Sequence, residues 1–190
     1  MPKQRITKEI VISAAFELMR EGGTEQVLVK NIARKIGCSV QPIYSYFSNM
    51  EGLRKDLEEQ AAVFTREYIK ARIDKDDLFR STGYAYVRLA REEPGIFKMY
   101  VLRQRDNIAS LDGLYQSEAN PDTAELIADA LHISKTDARE LHTRMLIFNV
   151  GIGTILTSTS PGIPPEEIAE QLETAYEAFL NQILRKQEEK

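Results

Sequence analysis

The chain has 190 residues, 43% hydrophobic and 28% charged, which suits one compact domain or a small domain joined to a larger one. A single cysteine, Cys38, excludes an intramolecular disulfide, and with only His132 and His142 beside it there is little to build a structural zinc site. The net charge of −4 is unevenly spread: residues 1–55 carry nine Lys/Arg against five Glu, while the remainder is net acidic, so one end attracts phosphate and the other repels it.

In chain order, almost every periodic segment has helical spacing, and the chain reads as all-α with about nine helices. Thr7 is placed to cap a first helix over about 8–21, with Val11, Ala15 and Leu18 on one face and Gly22-Gly23 ending it. A second helix, 29–36, sets Val29, Ile32, Ala33 and Ile36 at i, i+3, i+4, i+7. A third is expected at 40–46, and Ser48-Asn49 then caps a fourth that extends to the low seventies. Further helices are expected at about 76–92, ending before Pro94, and at 95–103. Residues 104–121 are polar and carry Gly, Asn and Pro, which predicts an irregular loop. Helices at 121–131 and 135–158 follow, the latter opened by Ser134 and Asp137. SPGIPP (160–165) is a break before a final helix that starts near 165.

Residues 28–47, LVKNIARKIGCSVQPIYSYF, carry the chemistry most open to interpretation. Ala33 is small enough for a second helix to cross closely, and Gly37 supplies the positive φ of a sharp turn. Cys38 fits an inward-packing turn position, and Ser39 is able to accept a backbone N–H at the start of the next helix. Ile43 and Phe47 face the core, leaving Val40, Gln41, Tyr44, Ser45 and Tyr46 outward. A helix this short must be held by its neighbours, the geometry that presents an N-terminal turn to base edges.

The run NIARKIGCSVQPIYSYFSNMEGL resembles the signature of the tetracycline-repressor (TetR) family, through Ile32, Ala33, Gly37, Ser39, Ile43, Tyr44, Phe47, Glu51 and Leu53. SAAFELMREGG upstream is similar to the family's first helix, so the likeness covers about residues 8–55; beyond that, only length and helical pattern agree. The resemblance implies a DNA-binding domain at 4–64, with its helix-turn-helix at 28–47, and a C-terminal effector-binding and dimerisation domain at 65–190. It also implies a homodimer whose paired recognition helices enter successive major grooves of a palindromic operator in double-stranded DNA. Val40, Gln41 and Ser45 then face bases, Gln41 with the option of a bidentate pair to adenine. Tyr44 and Tyr46 match positions that touch backbone phosphate, and Lys30, Ser39, Pro42 and Asn49 complete the expected DNA-facing set. Lys3 and Arg5 precede the first helix, within reach of phosphates or the minor groove. Pro42, Met50 and Leu28 depart from the family pattern and remove expected backbone contacts, which predicts a modest salt slope for DNA binding.

For the C-terminal part, the resemblance implies a small-molecule effector and a repressor released by it. Phe64, Tyr68, Tyr84, Phe97, Tyr100, Met145, Phe148 and Asn149 are the candidate pocket, with Arg88, Arg91 and Arg103 able to answer an anionic effector. No other cofactor is expected. Ile168, Leu172, Tyr176, Phe179 and Ile183 on the last helix, with Ile152, Ile155 and Leu156 before it, form the expected dimer interface; alternatively both helices fill the monomer's own core. Two other functions are set beside this one: a regulator acting through a protein partner without an effector, and a metal-dependent helical enzyme. For the latter, Asp129-x-x-His132 supplies half of a di-metal motif with no second copy. The sequence has no nucleophile elbow, phosphate loop or dinucleotide fingerprint, so an enzyme is not expected. The start lacks an apolar targeting core and the longest apolar run is too short to span a bilayer, so a soluble cytoplasmic protein without membrane association is expected.

Overall fold

The computed structural model describes residues 6–74, 76–120, 122–159 and 162–188, and among these it holds ten α-helices, one 3₁₀ turn and no strand. The chain divides into two compact units. The first joins the chain up to Ala71 to Leu89–Arg103, and the second joins Arg72–Arg88 to the chain from Gln104 onward. These compact units are discontinuous in sequence, whereas the sequence expectation divides the chain once, at 64/65.

The first unit is built on α1 (Lys8–Gly22), α2 (Val29–Ile36), α3 (Gln41–Tyr46), α4 (Met50–Lys70) and α6 (Pro94–Tyr100), with the last turn of α5 (Leu78–Glu92). Thr7 caps α1 by accepting from the Ile10 amide at 3.3 Å, and Asn49 caps α4 by accepting from the Gly52 amide at 3.1 Å. Val11, Ala15 and Met19 of α1 and Leu53, Leu57 and Ala61 of α4 are fully buried, each set at helical spacing.

The return of 89–103 to this unit has a steric reason. Gly95 is buried against the end of α1, where a Cβ would run into the Met19 carbonyl oxygen, so only glycine lets α6 approach this closely. Glu93, just before α6, pairs with Arg20 of α1, its Oε2 accepting from Nε at 2.8 Å. Tyr68 of α4 donates to Glu92 at 2.6 Å.

The second unit contains most of α5, α7 (Leu111–Glu118), α8 (Thr123–Leu131), α9 (Lys135–Ser158) and α10 (Pro165–Glu188). Ser134 caps α9 by accepting from the Asp137 amide at 3.1 Å, as its spacing predicts. One core cluster joins Ile127, Ile133, Ala138, Leu141, Met145, Tyr176 and Ile183; another joins Val87, Ile152, Ile168 and Leu172. His142 lies edge-on to the rings of Phe79 and Tyr115, and its Nδ1 is 3.1 Å from the Tyr115 hydroxyl. Burial pushes its pKa down to about 4, so the ring is neutral at pH 7.

α7 is the element that the sequence does not reveal: the region read as an irregular loop contains a two-turn helix. Its start is a Ser cap, with Ser110 Oγ accepting from the Gly113 amide at 3.0 Å, and its anchor is the buried Tyr115. Arg139 of α9 pairs with Asp112 and lies over the Tyr115 ring. Glycine in the first turn and a polar composition hide a helix that is held by these contacts rather than by propensity.

Candidate nucleic-acid interface

The turn between α2 and α3 follows from Gly37. Its φ of 78° and ψ of 35° are left-handed, and the Cys38 amide reaches back to the Ala33 carbonyl at 3.0 Å while that of Gly37 reaches Arg34 at 3.2 Å. These paired bonds are a Schellman closure, which satisfies the end of α2 and reverses the chain in two residues. Cys38 is half-buried. Ser39 does not cap α3 as expected: the residue before the helix is Val40, in a helical conformation with no side-chain cap, and Ser39 remains exposed.

α3 itself has six residues. Ile43 and the following Phe47 are buried, and Pro42 in the first turn costs no intrahelical bond because amides there have no partner. Val40, Gln41, Tyr44, Ser45 and Tyr46 are exposed together, as the sequence predicts, Tyr44 at 54%. Their polar atoms are in different states. Gln41 and Tyr44 form no hydrogen bond through their side chains among the described residues. Ser45 donates to the Pro42 carbonyl at 2.6 Å, which leaves its oxygen free to accept. The Tyr46 hydroxyl donates to the Ile6 carbonyl at 2.8 Å, so the position expected at phosphate is already engaged with the chain entering α1.

The basic side chains divide in the same way. Lys8 pairs with Asp56 at 2.7 Å and sits 5.4 Å from the centre of the Phe47 ring. Lys35 bridges Glu21 at 2.8 Å and Glu17 at 3.2 Å, and these carboxylates hold its ammonium above the ordinary lysine range. Arg20 is taken by Glu93 and Arg54 by Glu58. Lys30, Arg34 and Lys55 are exposed and carry no ion pair among the described residues. The Asn49 carboxamide is used by the α4 cap. Lys3 and Arg5 lie outside the described residues. Leu28 and Met50, both at departures from the family pattern, are exposed at the starts of α2 and α4. Leu28 offers no side-chain cap to α2.

The candidate effector residues are divided between the units. Phe64, Tyr68, Phe97 and Tyr100 belong to the first: Phe64 packs between Phe16 and Tyr68 with centroid distances of 5.8 and 6.0 Å, and Phe97 is fully buried. Arg91 and Arg103 lie in this unit too, and Arg103 stacks over Tyr100 at 4.6 Å. Tyr84, Arg88, Met145, Phe148 and Asn149 belong to the second. There Tyr84 donates to Glu173 at 2.7 Å; desolvation first, then that carboxylate, pushes its hydroxyl up to about 12. Asn149 lies against Gly83, and its Oδ1 is buried without a hydrogen-bond partner.

The expected dimer residues fare differently. Ile152, Ile168, Leu172, Tyr176 and Ile183 are buried within the second unit itself, and Leu156 and Phe179 pack against the same clusters. These residues belong to the second unit's own core. Ile155 is exposed, and Ile147 and Gly151 share its face of α9, where a Cβ on Gly151 would meet open space. Asp129 and His132 do not form a metal motif: His132 ends α8 in the left-handed conformation, and among the described residues no group of three His, Cys, Asp or Glu is placed to hold a metal. No helix among them is long and apolar enough to cross a membrane.

Comparison with known proteins agrees with this geometry. Residues 11–57 match the model of the bacterial regulatory proteins, tetR family. The chain is 32% identical over 80 residues to the uncharacterized HTH-type transcriptional regulator YvdT of Bacillus subtilis (strain 168), covering 42% of this chain and 41% of that protein. It is 22% identical over 108 residues to YobS of the same organism, also an uncharacterized HTH-type transcriptional regulator, covering 55% and 56%. The matched stretch thus spans about half the length of these curated relatives or less. A crystal structure of a TetR-like transcriptional regulator from Rhodococcus sp. RHA1 superposes with a TM-score of 0.58 at 16% identity, over 93% of this chain and 99% of that one, a likeness of fold.

Proposed function

We propose that this chain, whose residues 11–57 match the tetR family of bacterial regulatory proteins, is a member of that family and a sequence-specific DNA-binding transcriptional regulator. The observation that carries the proposal is α3, whose apolar residues are buried while Val40, Gln41, Tyr44 and Ser45 stand exposed beside the Gly37 turn. A rigid short helix with polar side chains along one face fits the major groove, where Gln41 is able to pair with adenine N6 and N7. Phosphate contacts fall to Lys30, Arg34, Lys55 and the residues before α1, because Lys8, Arg20, Lys35 and Arg54 are neutralised by carboxylates.

The protein works as a homodimer on a palindromic operator, and as a repressor that a small-molecule effector releases. The exposed α9 face of Ile147, Gly151 and Ile155 supports the dimer, since a second copy would bury two large apolar side chains around a glycine that permits close approach. The unpartnered Asn149 Oδ1 supports an effector site in the second unit, where it would accept from a ligand donor. The effector shifts the equilibrium by its differential affinity for operator-matching and non-matching states.

Selection of bound sequences from random DNA tests the proposal. The expected result is a palindrome with half-sites about one helical turn apart; no enriched sequence would overturn it. Sedimentation of the Ile155→Glu chain is expected to show monomers where the parent shows dimers. Small molecules that lower affinity for the selected site would identify the effector, whereas release only by another protein would replace it with a protein partner.

A further inference from the structure

We infer that Ser45 is a specificity-determining residue whose hydroxyl oxygen accepts from an exocyclic amino group in the major groove, so that each half-site carries adenine or cytosine at the position it reads. The inference rests on the DNA-binding function proposed above. Its geometric basis is the bond from the Ser45 hydroxyl to the Pro42 carbonyl, 2.6 Å, one turn back along α3. A serine hydroxyl has a single proton and two lone pairs, and local bonds of this kind to a preceding carbonyl are a known use of that proton in helices. With the proton committed inside the helix, what Ser45 presents at its exposed surface is a lone pair.

That restriction excludes most of what a groove offers. Phosphate oxygens only accept, so a lone pair finds no partner there. Guanine O6 and N7, adenine N7 and thymine O4 are acceptors as well. The donors on the major-groove edge of a duplex are the adenine N6 and cytosine N4 amino groups. A hydroxyl free to turn its proton reads either kind of edge, whereas one held as in Ser45 reads the amino-bearing bases alone. Neighbouring side chains do not widen the choice: residues 40–46 include no Lys or Arg, the side chains that pair with guanine O6 and N7. Gln41 stands one turn before Ser45 on the same face, about 6 Å along the helix axis. Its side chain forms no hydrogen bond among the described residues, and on pairing with adenine its carboxamide oxygen also takes an amino proton. The two residues therefore call for amino groups within about two base steps of each other, at about 3.4 Å per step.

A Ser45 that serves only its own helix, or that turns to donate to phosphate, predicts no base preference. The test selects bound sequences from random DNA with the parent and with S45A. Ser45 is exposed and alanine favours a helix more than serine does, so S45A is expected to fold. The expected result is one position per half-site where the parent takes adenine or cytosine and S45A accepts all four bases. At that position the amino group is then deleted, with purine in place of adenine or pyrimidin-2-one in place of cytosine, and affinities are measured by fluorescence anisotropy. The deletion weakens the base pair equally for both chains, so the difference between their losses belongs to Ser45. The loss is expected to be about 10-fold greater for the parent than for S45A. A Ser45-dependent position that takes guanine or thymine, no such position at all, or equal losses in the two chains would overturn the inference while leaving the DNA-binding function intact. A parent chain that selects no DNA sequence overturns both.

Discussion

α3 and α10 show two opposite uses of a helix. α3 has six residues, buries Ile43 and places most of its other side chains outward, so neighbouring helices and the Gly37 turn hold it in place. α10 has 24 residues and turns Ile168, Leu172, Tyr176 and Ile183 into the core of the second unit. In α3 the exposed residues are the informative ones, because burial accounts for so few of them. In α10 the burial of Ile168, Leu172, Tyr176 and Ile183 is accounted for by the core of their own unit. Ile147 and Ile155 of α9, by contrast, are exposed, and the core of their own unit does not account for them.

Substitutions sharpen this contrast, and the largest effect is expected at Gly95. Gly95→Ala drives a methyl group into the Met19 carbonyl and should destabilise the first unit by about 3 kcal/mol or more, measured by denaturant unfolding. A neutral result would detach α6 from the first unit. The second unit has its own sensitive point in His142. Its folded pKa of about 4 lies below the unfolded value of about 6.5, so its stabilising contribution is complete above pH 6.5. Between pH 6.5 and 4 the unfolded chain takes up a proton that the folded chain refuses, and on the order of 3 kcal/mol is lost. The Tm of the His142→Phe chain should fall less steeply across that window than the parent's, and parallel curves would remove His142 as the cause.

Smaller effects are expected in the helix-turn-helix. Gly37→Ala forces a Cβ into left-handed backbone and should cost about 1–2 kcal/mol by thermal unfolding. Gln41→Ala should leave Tm unchanged and relax the preference at one operator position by about 1–3 kcal/mol, measured by competition among DNA variants. A fall in stability without that relaxation would mean that Gln41 serves the fold.

Much of the fold is legible wherever a local rule decides the outcome. Thr7, Asn49 and Ser134 cap the helices they precede, and Gly37 turns the chain where its spacing requires. Local rules fail where a distant contact decides. Nothing near Ser39 tells that Val40 begins α3 without a side-chain cap, and nothing near Leu111 tells that Arg139 will steady α7. The exposed residues of α3 are readable because exposure follows from the period of one short helix. The state of the Tyr46 hydroxyl is not, because its acceptor, Ile6, lies 40 positions away. The candidate effector residues are the least readable, since aromatic side chains at helical spacing serve a core and a ligand equally well, as Phe64 and Phe97 show.

The close approach at Gly95 also bears on how this architecture can be recombined. A first unit that ended at residue 64 or 71 could be moved between second units with a single crossover. Here it includes 89–103, which the chain reaches only after passing through residues 72–88 of the other unit. A functional chimera therefore needs two junctions, or a donor body that brings its own glycine to the end of α1. Exchange of the second unit would be limited to chains that keep that one residue without a side chain.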